Sequence, residues 1–196
     1  MFQVRIHGRG GQGVVSAAEM LSVAAFDEGK FAQAFPSFGS ERMGAPVMAF
    51  CRIDDREIRL REPVMQPDAL IIQDPTLLHQ VDLFSGLATS GYILINSTRT
   101  FQELGISEFV NQFPASHVCT VPASELAMKH VGRPLPNAAL LGGFAAISGQ
   151  ISIDAVEKAI AEKFPGKIGE NNIAAARAAY ESVLTSKNKF AEAAHA

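Results

Sequence analysis

The sequence holds only two cysteines in 196 residues, Cys51 and Cys119. Two is too few for a disulfide framework, and their separation rules out a zinc or iron–sulfur motif. Each lies in an apolar stretch and reads as a buried free thiol. Basic charge is also scarce, with 17 Lys and Arg against 20 Asp and Glu and a net charge of −3. Nucleic-acid binding needs a cationic face, so that class is excluded. No long hydrophobic run is present: the most apolar stretch, residues 137–147, falls well short of the roughly 20 residues that span a bilayer. No basic segment with an apolar core precedes the strand-like residues 2–6, so no signal peptide is expected and the cytoplasm is the expected location. Internal repeats and low-complexity blocks are missing too.

What is present suits a globular chain, with 47% apolar and 19% charged residues. The length allows one well-buried domain, expected over residues 1–186, with a polar, alanine-rich tail at 187–196 that frays. Residues 2–7 read as a strand, and residues 14–28 carry an apolar stripe at helical spacing that Gly29 stops. A second strand is expected at 30–35. Residues 47–53 and 57–61, turning at Asp54-Asp55, carry a hairpin signal. The unbroken apolar run 69–72 reads as a strand covered on both faces, and Asp74-Pro75 as an N-cap with proline at the first helical position. Strands are expected at 92–95 and 117–121, with helices at 102–112, 123–131, 137–148, 153–164 and 172–185. This order predicts a three-layer α/β fold, with a mostly parallel sheet, helices on both faces and one β-hairpin.

Gly8-Arg9-Gly10-Gly11-Gln12-Gly13 has the G-x-G-x-x-G spacing and sits between a strand and a helix, where that motif works. Glycines let the backbone turn sharply and approach an anion, and the helix start offers free N–H donors with partial positive charge. Arg9 and His7 would add cationic donors, and Ser16 a hydroxyl, although helix starts also use serine for capping. The expected guest is a phosphate; the alternative is a tight turn without a ligand. A dinucleotide site also wants a carboxylate at the end of the second strand to hold the ribose. Gln33-Ala34-Phe35 supplies none, which speaks against NAD, and no basic cluster favours NADP.

A second loop, Phe35-Pro36-Ser37-Phe38-Gly39-Ser40-Glu41-Arg42-Met43-Gly44-Ala45-Pro46, packs aromatics, glycines, prolines and a Glu–Arg pair into one connection. Such loops carry ligand or partner contacts, although its aromatics could simply plug the core and its ion pair decorate the surface. With the opening Arg5-Ile6-His7-Gly8-Arg9-Gly10-Gly11-Gln12-Gly13, Gln73-Asp74-Pro75-Thr76 and Leu135-Pro136-Asn137-Ala138-Ala139-Leu140-Leu141-Gly142, it closely resembles the gamma subunits of pyruvate- and 2-oxoisovalerate-type ferredoxin oxidoreductases. Met43 departs from the second arginine these subunits often carry. The Gly44-Ala45-Pro46 ending is more similar to the pyruvate branch than to the 2-oxoglutarate branch. The resemblance implies a multi-subunit enzyme that decarboxylates a 2-oxoacid on thiamine diphosphate with Mg2+, passes electrons through [4Fe-4S] clusters to ferredoxin or another acceptor, and transfers the acyl group to coenzyme A. The chain has no Cys-x-x-Cys array and no Gly-Asp-Gly with a downstream Asn-Asn at the right spacing; Gly169-Glu170-Asn171-Asn172 reads as a turn before the last helix. The resemblance therefore implies that alpha, beta and delta-type partner subunits carry the redox and carbanion chemistry. It implies for this chain a part in coenzyme A binding, through Gly8, Arg9, Gly10, Gly11, Gln12 and Gly13, with Glu41 and Arg42 toward the interface or the thiol end. The alternatives are a free-standing Rossmann-like NAD(P)-binding oxidoreductase and a purely structural assembly subunit.

Other candidates are weaker. His79, His117 and His130 lie on different elements without a second ligand at metal spacing. Asp54, Asp55 and Glu57 fit a solvated turn better than an acid–base pair. Gly142-Gly143 inside an apolar helix costs about 1 kcal/mol per glycine relative to alanine, which implies close packing there.

Overall fold

A computed structural model describes residues 1–37 and 42–194, with side chains to residue 189. Its centre is a six-stranded sheet in the order β2-β3-β1-β4-β5-β6. The strands are β1 (Phe2–Arg9), β2 (Phe31–Pro36), β3 (Pro46–Asp54), β4 (Ala69–Ile72), β5 (Tyr92–Asn96) and β6 (Val118–Val121). β1, β4, β5 and β6 pair in parallel, whereas β3 is antiparallel to both β1 and β2. Only β3 runs against the rest, so the sheet is mostly parallel, as expected.

The hairpin is made by different strands from those expected. β3 spans residues 46–54 but pairs with β2 and β1, and residues 57–61 form no strand. The physical reason is that both edges of β3 are taken, so the short alternation at 57–61 has no edge to join. Instead the Arg52 guanidinium, buried on β3, donates to the Glu62 carbonyl and to the side-chain carbonyls of Gln3 and Gln33. This pulls the 57–62 segment back across the sheet.

The two faces of the sheet are covered differently. On one, Val4, Ile6, Ala49, Cys51, Ile71, Leu94 and Val121 pack against α1 (Val14–Asp27), α4 (Asn137–Ser148), α5 (Ile153–Lys163) and α6 (Lys167–Ala194) in one apolar cluster. α3 (Ala123–Val131) adds Ala123. α4 is buried on all sides and approaches α6 closely: a Cβ at Gly142 would lie 1.9 Å from the Ala176 carbonyl, and one at Gly143 would press on Leu94 and Val183. Those two contacts account for the paired glycines.

On the other face, Ile72, Ile93, Ile95 and Val118 meet Leu77, Leu83, Leu104, Val110 and Phe113. Helix is short here: a 3-10 turn at Pro75–His79 and α2, four residues at Ser107–Val110; a second 3-10 turn, Ala115–His117, packs instead against α4 and α6. The helix expected at 102–112 is broken because Gly105 adopts a left-handed φ of 73°. α6 is longer at both ends than the expected 172–185. Residues 169–172 lie inside it rather than in a turn, and helix continues to Ala194, within the segment 187–196 expected to fray. Lys187 donates to the carbonyls of Ala146 and Ile147 at the end of α4. Cationic donors satisfy last-turn carbonyls in this way.

Candidate functional site

β1 ends in the glycine loop, and Gly13, with φ 71°, turns the chain into α1. α1 leaves β1 on one face toward β2, while the chain after β4 crosses on the other face toward β5. The loop therefore sits at the carboxyl ends of β1 and β4, at the point where the winding reverses. Open α/β sheets bind ligands in the crevice there. No side chain caps α1 and no acidic residue stands in its first turn. Its first N–H groups have no acceptor within the helix, and they carry the positive end of its dipole. The α4 N-terminus lies alongside: Asn137 Nδ2 reaches the Gly13 carbonyl at 3.5 Å and fills the space where a Gly13 Cβ would be.

The glycines also serve packing within the chain. Gly10 exchanges backbone hydrogen bonds with Gly44 and Ala45, and a Cβ on it would lie 2.2 Å from the Arg42 carbonyl. A Cβ on Gly11 would meet Met43 Sδ. A Cβ on Gly8 would strike Val14. The second loop thus lies directly over the first, and Met43, which departs from the gamma-subunit pattern, is 86% exposed on top. Arg42 is exposed and contributes its carbonyl to this seam. Glu41 lies outside the described residues.

Arg9 is brought to the loop but spent within the protein. Its Nε donates to Asp74 Oδ2 at 3.1 Å, its Nη1 to the Gly44 carbonyl at 3.0 Å, and its Nη2 to Thr76 Oγ1 and Gln80 Oε1, both at 2.8 Å. Gln12 is committed at both ends: Oε1 accepts from Arg9 N–H, and Nε2 donates to Asp74 Oδ2, each at 2.8 Å. Asp74 caps the Pro75–His79 turn, as expected, by accepting from Thr76 N–H.

His7 is not a cationic donor. It is 4% exposed, and burial first, then the Arg5 charge, lowers its pKa to about 3. Its Nε2 accepts from Arg5 Nε at 3.0 Å, which places the proton of the neutral ring on Nδ1. Arg5, buried beside it, donates to the carbonyls of Leu83 and Ser85. The sequence marks His7 as a donor beside the loop, but nothing in it signals the bond to Arg5.

Next to the loop lies a cleft of about 450 Å3 at the ends of β4, β5 and β6, with Thr76, His79, Asn96, Arg99, Glu103 and Ser124 among its lining. Asn96 is its buried polar floor, donating to the Gln73 carbonyl and Ser124 Oγ. No sequence motif marks it. His117 stacks on Tyr92 and bonds to the Ser90 carbonyl, and His79 bonds to the Leu104 carbonyl, so both have structural partners. Among the described residues no group of three or more His, Cys, Asp or Glu could hold a metal ion, and no helix is long and apolar enough to cross a membrane. Burial raises the pKa of Cys51 and, to about 11, that of Cys119.

The family model for pyruvate ferredoxin/flavodoxin oxidoreductase matches residues 3–182. The chain belongs to this family. It is 48% identical over 183 residues to pyruvate synthase subunit PorC of Methanothermobacter thermautotrophicus, covering 93% of this chain and 96% of that one. It is 44% identical to the pyruvate/ketoisovalerate oxidoreductases common subunit gamma of Thermococcus litoralis, covering 94% and 98%. The crystal structure of pyruvate oxidoreductase subunit PORC from Thermotoga maritima superposes with a TM-score of 0.77 at 35% identity, covering 92% and 95%. Within the pyruvate ferredoxin/flavodoxin oxidoreductase family the chain thus matches the gamma-type subunits of multi-subunit enzymes nearly end to end, and the mixed α/β sheet is that of PORC.

Proposed function

We propose that this chain is the gamma-type, non-redox subunit of a 2-oxoacid:acceptor oxidoreductase that forms acyl-coenzyme A and CO2, and that its glycine loop holds phosphate groups of coenzyme A. Thiamine diphosphate, Mg2+ and [4Fe-4S] clusters belong to alpha, beta and delta-type partners, which pass electrons to ferredoxin or another acceptor; the assembly is cytoplasmic. The observation that carries the reading is the uncapped start of α1 at the switch point of the sheet, with no carboxylate in its first turn. Gly8, Gly10, Gly11 and Gly13 shape the loop that exposes those N–H groups. Arg9 and Gln12 frame it, and Arg42 is assigned to the subunit interface or the thiol end of coenzyme A.

Topology weighs against the NAD reading. In a dinucleotide fold the second strand neighbours the first and brings a carboxylate to the ribose. Here β3 separates β2 from β1, which sets the end of β2 two strand spacings, about 10 Å, from the loop, and that end is Phe35-Pro36.

One observation favours a second reading, a purely structural loop: the second loop and Asn137 already fill the spaces beside Gly10, Gly11 and Gly13. Ser16→Glu in the assembled complex separates the two. An acidic residue in the first turn is neutral or favourable for the helix. Facing a phosphate it costs on the order of 1–2 kcal/mol, so the KM for coenzyme A should rise about tenfold. An unchanged KM in an intact complex leaves only the structural reading.

A further inference from the structure

We propose that Asp74 is the positioning residue of this loop: its carboxylate holds Arg9 and Gln12 as a frame, so that the backbone N–H groups of the loop and of the first turn of α1, not these two side chains, are presented to a phosphate. This rests on the reading of the loop as the coenzyme A phosphate site. Sequence inspection gives Asp74 a smaller part, the cap of a short turn. Its Oδ1 performs that task, accepting from Thr76 N–H and Oγ1. Oδ2 does something separate, receiving Arg9 Nε at 3.1 Å and Gln12 Nε2 at 2.8 Å, from residues more than 60 positions earlier in the chain.

Arg9 has five N–H donors, and four are engaged: Asp74 takes Nε, while Nη1 and Nη2 reach Gly44, Thr76 and Gln80. Arg9 therefore ties the glycine loop to the second loop and to the 75–80 turn. Gln12 closes the loop on itself by accepting from Arg9 N–H while its amide nitrogen is held by Asp74. The Asp74 charge also cancels that of Arg9, which leaves the helix start as the attraction for an anion. Burial pushes the Asp74 carboxyl up, but hydrogen bonds from Thr76 and Gln12 and the Arg9 charge outweigh it, so its pKa is lowered and the frame persists at neutral pH.

Removing Asp74 has two opposing effects. Arg9, uncompensated and partly exposed, would attract a phosphate, but a solvent-exposed pair of this kind is worth at most about fivefold. Loss of an outer support that orients a site costs about ten- to a hundredfold. Loss of the frame wins.

The test is the steady-state kinetics of the assembled complex carrying Asp74→Asn, which keeps the shape and loses the charge. The KM for coenzyme A should rise about tenfold, with the KM for the 2-oxoacid within about twofold, and Asp74→Glu should recover most of the difference. A coenzyme A KM that is unchanged or lowered overturns the proposal. Should Asp74→Asn fail to assemble, Gln80→Ala removes one exposed partner of Arg9; a rise of about two- to threefold is expected, and no change overturns the frame. The Ser16→Glu complex separates the failures: if it raises the KM and Asp74→Asn does not, only the Asp74 role falls. If neither variant moves it, the loop is not the site.

Discussion

The two faces of the sheet are held by different forces. One is an apolar layer in which α4 is enclosed by sheet and helices, with Phe144 buried at 1% exposure and 6.4 Å from the Phe2 ring. Over β1 and β3 the other face carries Arg5, His7 and Arg52, and irregular segments reach it through their backbone carbonyls. The first is stabilised by buried area, which is non-directional and tolerates some repacking. The second has its own apolar cluster over β4 to β6, but over β1 and β3 it depends on a few directional bonds, and an unmet partner there costs a full desolvation penalty. Helices can cover a face by periodicity alone. Loops without periodicity need named hydrogen bonds, and buried arginines supply five donors each.

This contrast can be broken from either side. Phe144→Ala should have the largest effect, a global loss of about 4 kcal/mol, read as a drop in melting temperature of about 8–16 °C. Arg52→Ala should cost about 3 kcal/mol, because it strands the carbonyls of Gln3, Gln33 and Glu62. Its signature should be local, with proteolysis near residues 55–66 rising more than the melting temperature falls. An equally global loss in both variants would erase the distinction.

His7 sharpens the comparison through pH. An unfolded imidazole titrates near 6.5, and the buried His7 near 3. Between those values the unfolded chain binds the extra proton, so stability falls as pH drops through this window, by up to about 1.4 kcal/mol per unit. Denaturant unfolding from pH 7 to pH 4 should show that slope, and His7→Gln, which keeps an acceptor toward Arg5, should flatten it. Arg59→Ala sets the lower limit. Its bond to Glu57 is fully at the surface, with Arg59 84% exposed, and its loss should move stability by less than about 0.5 kcal/mol.

The legibility of the sequence divided along the same line. α3, α4 and β4 are legible to the residue, because Pro122, Gly132, Pro136 and Gly149 mark the helix ends and α4 and β4 are unbroken apolar runs. The hairpin partner is not legible, because alternation at 57–61 says nothing about whether an edge of β3 is free. The length of α6 was underestimated because Lys187 finds its acceptors 40 residues away. At the site, the glycine spacing marks the loop and its order relative to β1 and α1, and Asp74-Pro75 marks the cap. The Arg9–Asp74 bond, the seam between Gly10 and Arg42, and the neutral state of His7 depend on contacts between distant segments, which local pattern does not encode.

On the proposed function, the start of α1, and not the neighbouring cleft, receives coenzyme A. Hydrogen exchange on the assembled complex tests it directly. Saturating coenzyme A should slow exchange in peptides covering residues 10–17 and leave residues 96–104 and 123–127 unchanged. Protection confined to the latter two, or none at residues 10–17, would contradict it.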